Sequence, residues 1–182
     1  MIRFALIFQA GLVLVALVLG WLTGTPAFAR LSLDASGLLT GVLATVPVLA
    51  LVLGSLWARV PAVDALHDVA RRLLLPLLKE ASIAQRILLC LLAGVGEEAL
   101  FRGVLQCFIA EQAGALTGLL LASALFGLVH WVSRAYALFA ALLGLYLGVA
   151  FVLADNLLVP IVIHGLYDLV LVGWLLMRRG RG

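Results

Sequence analysis

The stretch GVGEEALFRGVLQ, residues 94–106, sets Glu97, Glu98 and Arg102 in the middle of one of the most apolar runs of the chain. Around it, ILLCLLA (87–93) and CFIA (107–110) are what a helix facing hydrocarbon would carry. Three ionisable groups at this depth oppose the composition of everything near them, so the stretch decides how the chain is read.

The chain has 182 residues, of which 65% are hydrophobic and 12% charged, with a mean hydropathy of +1.25. Soluble domains run at about 45–50% apolar and about 25% charged, so a soluble fold is excluded and an all-α, polytopic membrane bundle is expected. No polar segment is long enough for a second domain, and residues 1–182 read as one membrane domain. A spanning helix needs roughly 20 mostly apolar residues. Six windows qualify, near Phe4–Leu22, Leu38–Trp57, Ile83–Ile109, Ala115–Val132, Ala135–Ala154 and Leu157–Met177. Cys90 and Cys107 lie in apolar surroundings without CxxC or Cys/His spacing, which argues for packing rather than a disulfide framework.

Basic residues are retained on the cytoplasmic side of a membrane. With the amino terminus inside and six alternating spans, ten Lys and Arg fall inside, Arg30 alone falls outside, and Arg102 is within the third span. Both termini are therefore expected in the cytoplasm, in a plasma (inner) membrane. MIRFALIFQAGLVLVALVLGWLTGTPAFA (1–29) has the basic start and A-x-A-like end of a signal peptide. Its apolar run exceeds the usual ~7–15 residues, which favours an uncleaved first span. The long connection from Ala58 to Ser82 sets Leu and Val opposite Asp64, Asp68, Arg71 and Arg72. It reads as an amphipathic helix on the cytoplasmic surface, interrupted near Pro76. Residues 1–82 thus make two spans and an interfacial helix, and 83–177 a four-helix core.

With the loops set aside, the ionisable residues left at membrane depth are Glu97, Glu98 and Arg102 in span three, His130 in span four, and His164 and Asp168 in span six. On insertion scales a charge at the centre of a span costs about 2.5–3.5 kcal/mol, and is tolerated when it faces the bundle interior or a wet cavity. Residues four apart share a helix face, so Glu98 can pair with Arg102, and His164 lies beside Asp168. Glu97 is rotated by about 100° from Glu98 and is left free for chemistry. Gly94, Gly96 and Gly103 would let neighbouring helices approach closely. Taken singly, the Glu98–Arg102 pair could be a buried fastener, His130 an interfacial residue, and His164 with Asp168 a satisfied hydrogen-bonded pair. Taken together, one shared polar site explains all of them and gives Glu97 partners.

Three motifs stand in order on separate spans: EEALFR (Glu97–Arg102) fits EExxxR, FGLVH (Phe126–His130) fits FxxxH, and HGLYD (His164–Asp168) fits HxxxN/D. On them the chain resembles the CPBP family of intramembrane endopeptidases, which includes type II CAAX prenyl proteases and bacteriocin-processing or immunity-associated membrane proteins. The resemblance covers about residues 83–177. It implies that Glu97 and His130 activate a water, that Glu98 holds Arg102, and that His164 with Asp168 stabilises an oxyanion. Asp168 stands where the family also has Asn. An ionised Asp cannot donate a hydrogen bond, so it would be protonated, orient His164 from behind, or bind something positive.

Two chemistries are open. Glu97 can act as a metal-independent general base, or Glu97, His130 and His164 can hold a catalytic zinc with an open fourth position. No HExxH pair is present, which favours the glutamate-only route, and no cofactor is firmly expected. The expected partners are the lipid bilayer and a membrane-anchored protein or peptide, with no nucleic acid. Gly-rich faces such as GLLLASALFG (118–127) could pack within the molecule or between copies. A non-catalytic immunity or partner-binding protein is the rival outside enzymology, and a proton or ion relay the third reading. One geometric difficulty stands. In straight helices Glu97 sits mid-span, His130 near the inner end of its span, and His164 toward the outer half.

Overall fold

In a computed structural model, residues 1–58 and 61–178 are described, and every regular element among them is helical. The helices are α1 (Ile2–Thr23), α2 (Ala35–Trp57), α3 (Pro61–Leu78), α4 (Ile83–Glu98), α5 (Cys107–Ala113), α6 (Ala115–Val129), α7 (Arg134–Ala154) and α8 (Leu158–Arg178). A π-helical segment, Ala99–Gln106, joins α4 to α5. Both junctions keep right-handed helical dihedrals, so 83–113 is one continuous helical rod.

Of the six apolar windows, four lie on helices long and apolar enough to cross a membrane: Ile2–Thr23, Ala35–Ser55, Arg134–Ala154 and Leu158–Met177. The window at Ala115 is a shorter apolar helix of 15 residues, about 22 Å at 1.5 Å per residue. The window at Ile83 is divided by the π turn, where the wider i→i+5 bonding replaces the α pattern.

Pairing of the helices follows their small residues. A Cβ on Gly94 of α4 would stand 3.0 Å from the Ile161 carbonyl of α8, and one on Gly96 would stand 2.9 Å from the Gln9 carbonyl of α1. These glycines are what bring α8 and α1 against opposite sides of α4. Gly103 meets the Ala27 carbonyl in the same way. The segment between α1 and α2 is fastened to the α7–α8 turn through Asn156. Its amide donates to the Ser32 carbonyl (2.9 Å) and Asp34 (3.0 Å), and its oxygen accepts from Ser32 N–H (3.0 Å) and Leu158 N–H (2.9 Å). The Arg30–Asp155 pair closes the same corner at 2.9 Å.

Two expectations change. Pro76 does not interrupt the amphipathic element: α3 runs through it to Leu78, which is buried and whose carbonyl accepts from Arg86 Nε at 3.0 Å. Pro76 costs α3 one i→i−4 hydrogen bond without ending the helix. The same helix is also more than a surface cover, because Leu74, Leu77 and Leu78 form a wall of an internal cavity. The side chains of residues 61–67, Asp64 included, lie outside the description.

Candidate active site

The π segment sets up the site. Its wide turn points Arg102 and Gln106, four residues apart, at α7, where Arg102 Nη2 donates to the Gly144 carbonyl (2.7 Å) and Gln106 Nε2 to the Gly148 carbonyl (3.2 Å). A Cβ on Gly144 would stand 3.2 Å from Arg102 Nη2, and one on Gly148 would stand 2.7 Å from Gln106 Oε1. Glycine at both positions is thus what gives the two side chains access to backbone oxygen. Arg102 is fully buried and pairs with Glu98, itself fully buried, at 3.1 Å. Its guanidinium lies 4.7 Å from the centre of the Phe126 ring, a cation–π contact that offsets part of the lost hydration.

Glu98 has a second partner. Its Oε1 also meets His164 Nδ1 at 2.8 Å. The sequence assigns Glu98 to Arg102 alone and allows Asp168 to orient His164 from behind; in the structure Glu98 takes that place. Asp168 lies on the other side of the ring, with Oδ2 3.6 Å from Nε2.

Helix α6 ends at Val129, and His130 caps it, its N–H bonded to the Gly127 carbonyl at 3.2 Å. Its ring turns back so that Nδ1 lies 2.7 Å from the Phe126 carbonyl. A carbonyl only accepts, so Nδ1 carries the hydrogen and Nε2 of the neutral ring presents a lone pair. The Glu98 carboxylate fixes the hydrogen of His164 on Nδ1 by the same reasoning. Phe126 stacks on His130 at 4.5 Å, lies edge-on to His164 at 6.0 Å and packs against Phe101 at 5.0 Å. It holds both imidazoles and Arg102 from one position.

Glu97 therefore meets two imidazole nitrogens. Its Oε2 lies 3.6 Å from His130 Nε2 and 4.0 Å from His164 Nε2, and is buried without a hydrogen-bond partner. Its Oε1 accepts from Gln9 Nε2 of α1 at 2.9 Å. The shortness of α6 removes the geometric difficulty of straight, equal spans. Glu97, His130, His164 and Asp168 all line one apolar cavity of about 470 Å³ walled by α1, α2, α3, α4, α6, α7 and α8.

The donor set of Glu97, His130 and His164, with both Nδ1 atoms anchored, is chemically suited to zinc. As placed, however, no three His, Cys, Asp or Glu side chains among the described residues are gathered closely enough to hold a metal ion.

Sequence reasoning missed Gln9, Gln106 and the Gly144/Gly148 carbonyls. Signals for them existed: Gln9 is the single amide of α1, and GLYLG (144–148) is a small-xxx-small pattern that lets backbones approach. Tyr136 and Tyr167 also line the cavity; Tyr136 lies outside the motifs, and Tyr167 stands at an unspecified position of HGLYD.

Buried and half-buried carboxylates and imidazoles facing one cavity inside an apolar helical bundle define a class: helical membrane proteins built around an intramembrane polar site. The chain belongs to the type II CAAX prenyl endopeptidase Rce1-like family, whose model matches residues 79–170, just over half of the 182 residues. It is thus an integral membrane protein of a protease family, and the match takes in all three motifs. No curated protein and no solved structure matches the chain.

Proposed function

We propose that the protein is an intramembrane endopeptidase that hydrolyses a peptide bond in a membrane-anchored or lipid-modified protein tail, of CAAX type or a C-terminal anchor, with Glu97 as general base. The observation that carries this reading is the approach of His130 Nε2 and His164 Nε2 to the unpartnered Oε2 of Glu97 on the wall of an apolar cavity. A gap of 3.6 Å exceeds a direct hydrogen bond and suits a bridging water.

In this mechanism the water gives one proton to Glu97 as its oxygen bonds to the carbonyl carbon. The lone pair of His130 accepts a hydrogen bond from the O–H that remains and fixes the direction of attack. As the C–N bond breaks, the proton on Glu97 passes to the leaving nitrogen. His164, as an imidazolium held through Nδ1 by Glu98, presents Nε2–H to the oxyanion, the role a preorganised donor fills in acyl transfer. Ionised Asp168 holds that imidazolium and does not itself donate.

We read the architecture as six passes in one membrane domain, the 83–113 rod and the short α6 each counted as one. The distribution of Lys and Arg favours both termini in the cytoplasm of a plasma membrane. The site then opens toward the cytoplasmic surface under α3, where a tail can enter from the bilayer. A second reading is favoured by the anchored Nδ1 atoms: a zinc ion held by Glu97, His130 and His164, which would supply Lewis-acid activation of the water.

The test is cleavage by the purified protein of three tails: a farnesylated CAAX peptide, a geranylgeranylated one and an unlipidated single-span C-terminal anchor, each with and without chelator. Glu97→Gln should abolish cleavage while leaving the protein folded. Cleavage unchanged in that variant, or no cleavage of any tail by the wild type, would sink the proposal; loss of activity on chelation selects the zinc reading.

A further inference from the structure

The residues that match the family begin at 79, yet one hydrogen bond to Glu97 comes from residue 9. Gln9 lies on α1 and donates from Nε2 to Glu97 Oε1 at 2.9 Å. An ionised carboxylate only accepts, so the amide must present its nitrogen to Glu97. Its own oxygen is then turned away, and it is buried without a partner. Gln9 is also part of the cavity wall. The contact is built rather than incidental, because its backbone is seated as well. Gly96 leaves room for the Gln9 carbonyl and the Leu12 side chain, 2.9 Å and 3.2 Å from where a Cβ would stand. One turn further, Ala16 is fully buried against the core.

We infer that Gln9 is a positioning residue for the hydrolytic carboxylate, and that α1 is a component of the active site. With Oε1 tied to Gln9, the Glu97 carboxylate has one rotation available, the one that aims Oε2 between the two imidazoles. Without the amide, the carboxylate can turn about its terminal bond and lose its alignment with His130. Misplacement of a catalytic group by about 1 Å costs up to about 100-fold in rate.

The inference rests on Glu97 being the base, so the two are tested side by side. Gln9→Leu and Gln9→Met both keep bulk and remove the amide. Each should lower kcat by about 10- to 100-fold on the tail that the wild type cleaves fastest among the three above, with KM within about twofold and an unchanged unfolding midpoint in detergent. A second readout needs no substrate. In protein labelled with ¹³C-carboxyl glutamate, the infrared carboxylate band that disappears in Glu97→Gln should shift in Gln9→Leu. An unshifted band overturns the inference, as does kcat within twofold of wild type in both variants. Loss of the folded protein in both makes Gln9 a fastener and also overturns it. A dead Glu97→Gln beside a fully active Gln9→Leu refutes only the positioning role; an active Glu97→Gln refutes the base itself.

Discussion

Removing the Glu98 carboxylate should harm the protein twice, and the two harms can be separated. Glu98 and Arg102 have side chains 0% and 1% exposed and meet at 3.1 Å. In Glu98→Met the guanidinium keeps the Gly144 carbonyl and the Phe126 face but loses the one counter-charge at contact distance among the described residues. Removing one partner of a buried pair costs about 3–5 kcal/mol, because the survivor is left uncompensated. For a chain of this size, roughly 2–4 °C per kcal/mol makes that a fall of about 6–20 °C in the unfolding midpoint. Arg102→Met should fall by a similar amount. In the double variant no charge is stranded, and apolar replacement of a buried pair is often close to neutral. Its cost then reduces to the unpaired Gly144 carbonyl and His164 Nδ1, about 1–3 kcal/mol each. The double variant should therefore lose about 4 kcal/mol less than the two single variants together, read by thermal unfolding of the four proteins in one detergent. Cleavage should not return with stability, since His164 has lost the carboxylate that holds its ring through Nδ1. Additivity within about 0.5 kcal/mol would refute the pairing argument. A double variant with wild-type cleavage would refute the link from Glu98 to His164.

Gly148→Val should destabilise the bundle by about 1–3 kcal/mol through overpacking, since its Cβ would stand 2.5 Å from Leu119 Cδ1 and 2.7 Å from Gln106 Oε1; unfolding in detergent measures it. Phe126→Leu removes the ring shared by Phe101, Arg102 and the two imidazoles. It should cost about 1–3 kcal/mol and lower kcat more than it raises KM. Asp34, outside the spans, is drawn down from its ordinary 3.8 to about 2 by the Ser36 hydroxyl first and then the Gly37 N–H. A carboxylate with a lowered folded value contributes stability above its unfolded value and loses it as pH falls. The corner where the α1–α2 segment meets the α7–α8 turn should loosen as the pH drops from about 4 toward 2, and Asp34→Asn should remove that dependence from acid-unfolding curves.

The fold's material was readable where hydropathy ran uninterrupted, as in α1, α2, α7 and α8. The third window was readable as apolar but not as π-helical, because a change from i→i+4 to i→i+5 bonding leaves no mark in residue type. Expecting equal, straight spans made His130 seem misplaced, whereas α6 simply stops at Val129. In the site, the paired motifs gave the pairs within one helix, Glu98 with Arg102 and His164 beside Asp168. They could not give Glu98 with His164, which depends on how α8 crosses α4 at Gly94. Gln9 stayed invisible for a related reason: an amide among apolar neighbours is common, and only the seat at Gly96 turns it toward Glu97.

The π-helical rod also implies a particular kind of fragility. Each π turn holds one residue more than an α turn would, so Ala99–Gln106 acts as a counted spacer between Glu97 and α5. Exchanging one apolar residue for another there leaves the count intact. Deleting a single residue would let the segment rewind as ordinary α-helix and swing everything after it by about 100°, taking Arg102 or Gln106 off the α7 carbonyls. Outside Arg102, Gly103 and Gln106, whose side chains or lack of one make the contacts, a conservative apolar exchange should be tolerated where a deletion is not.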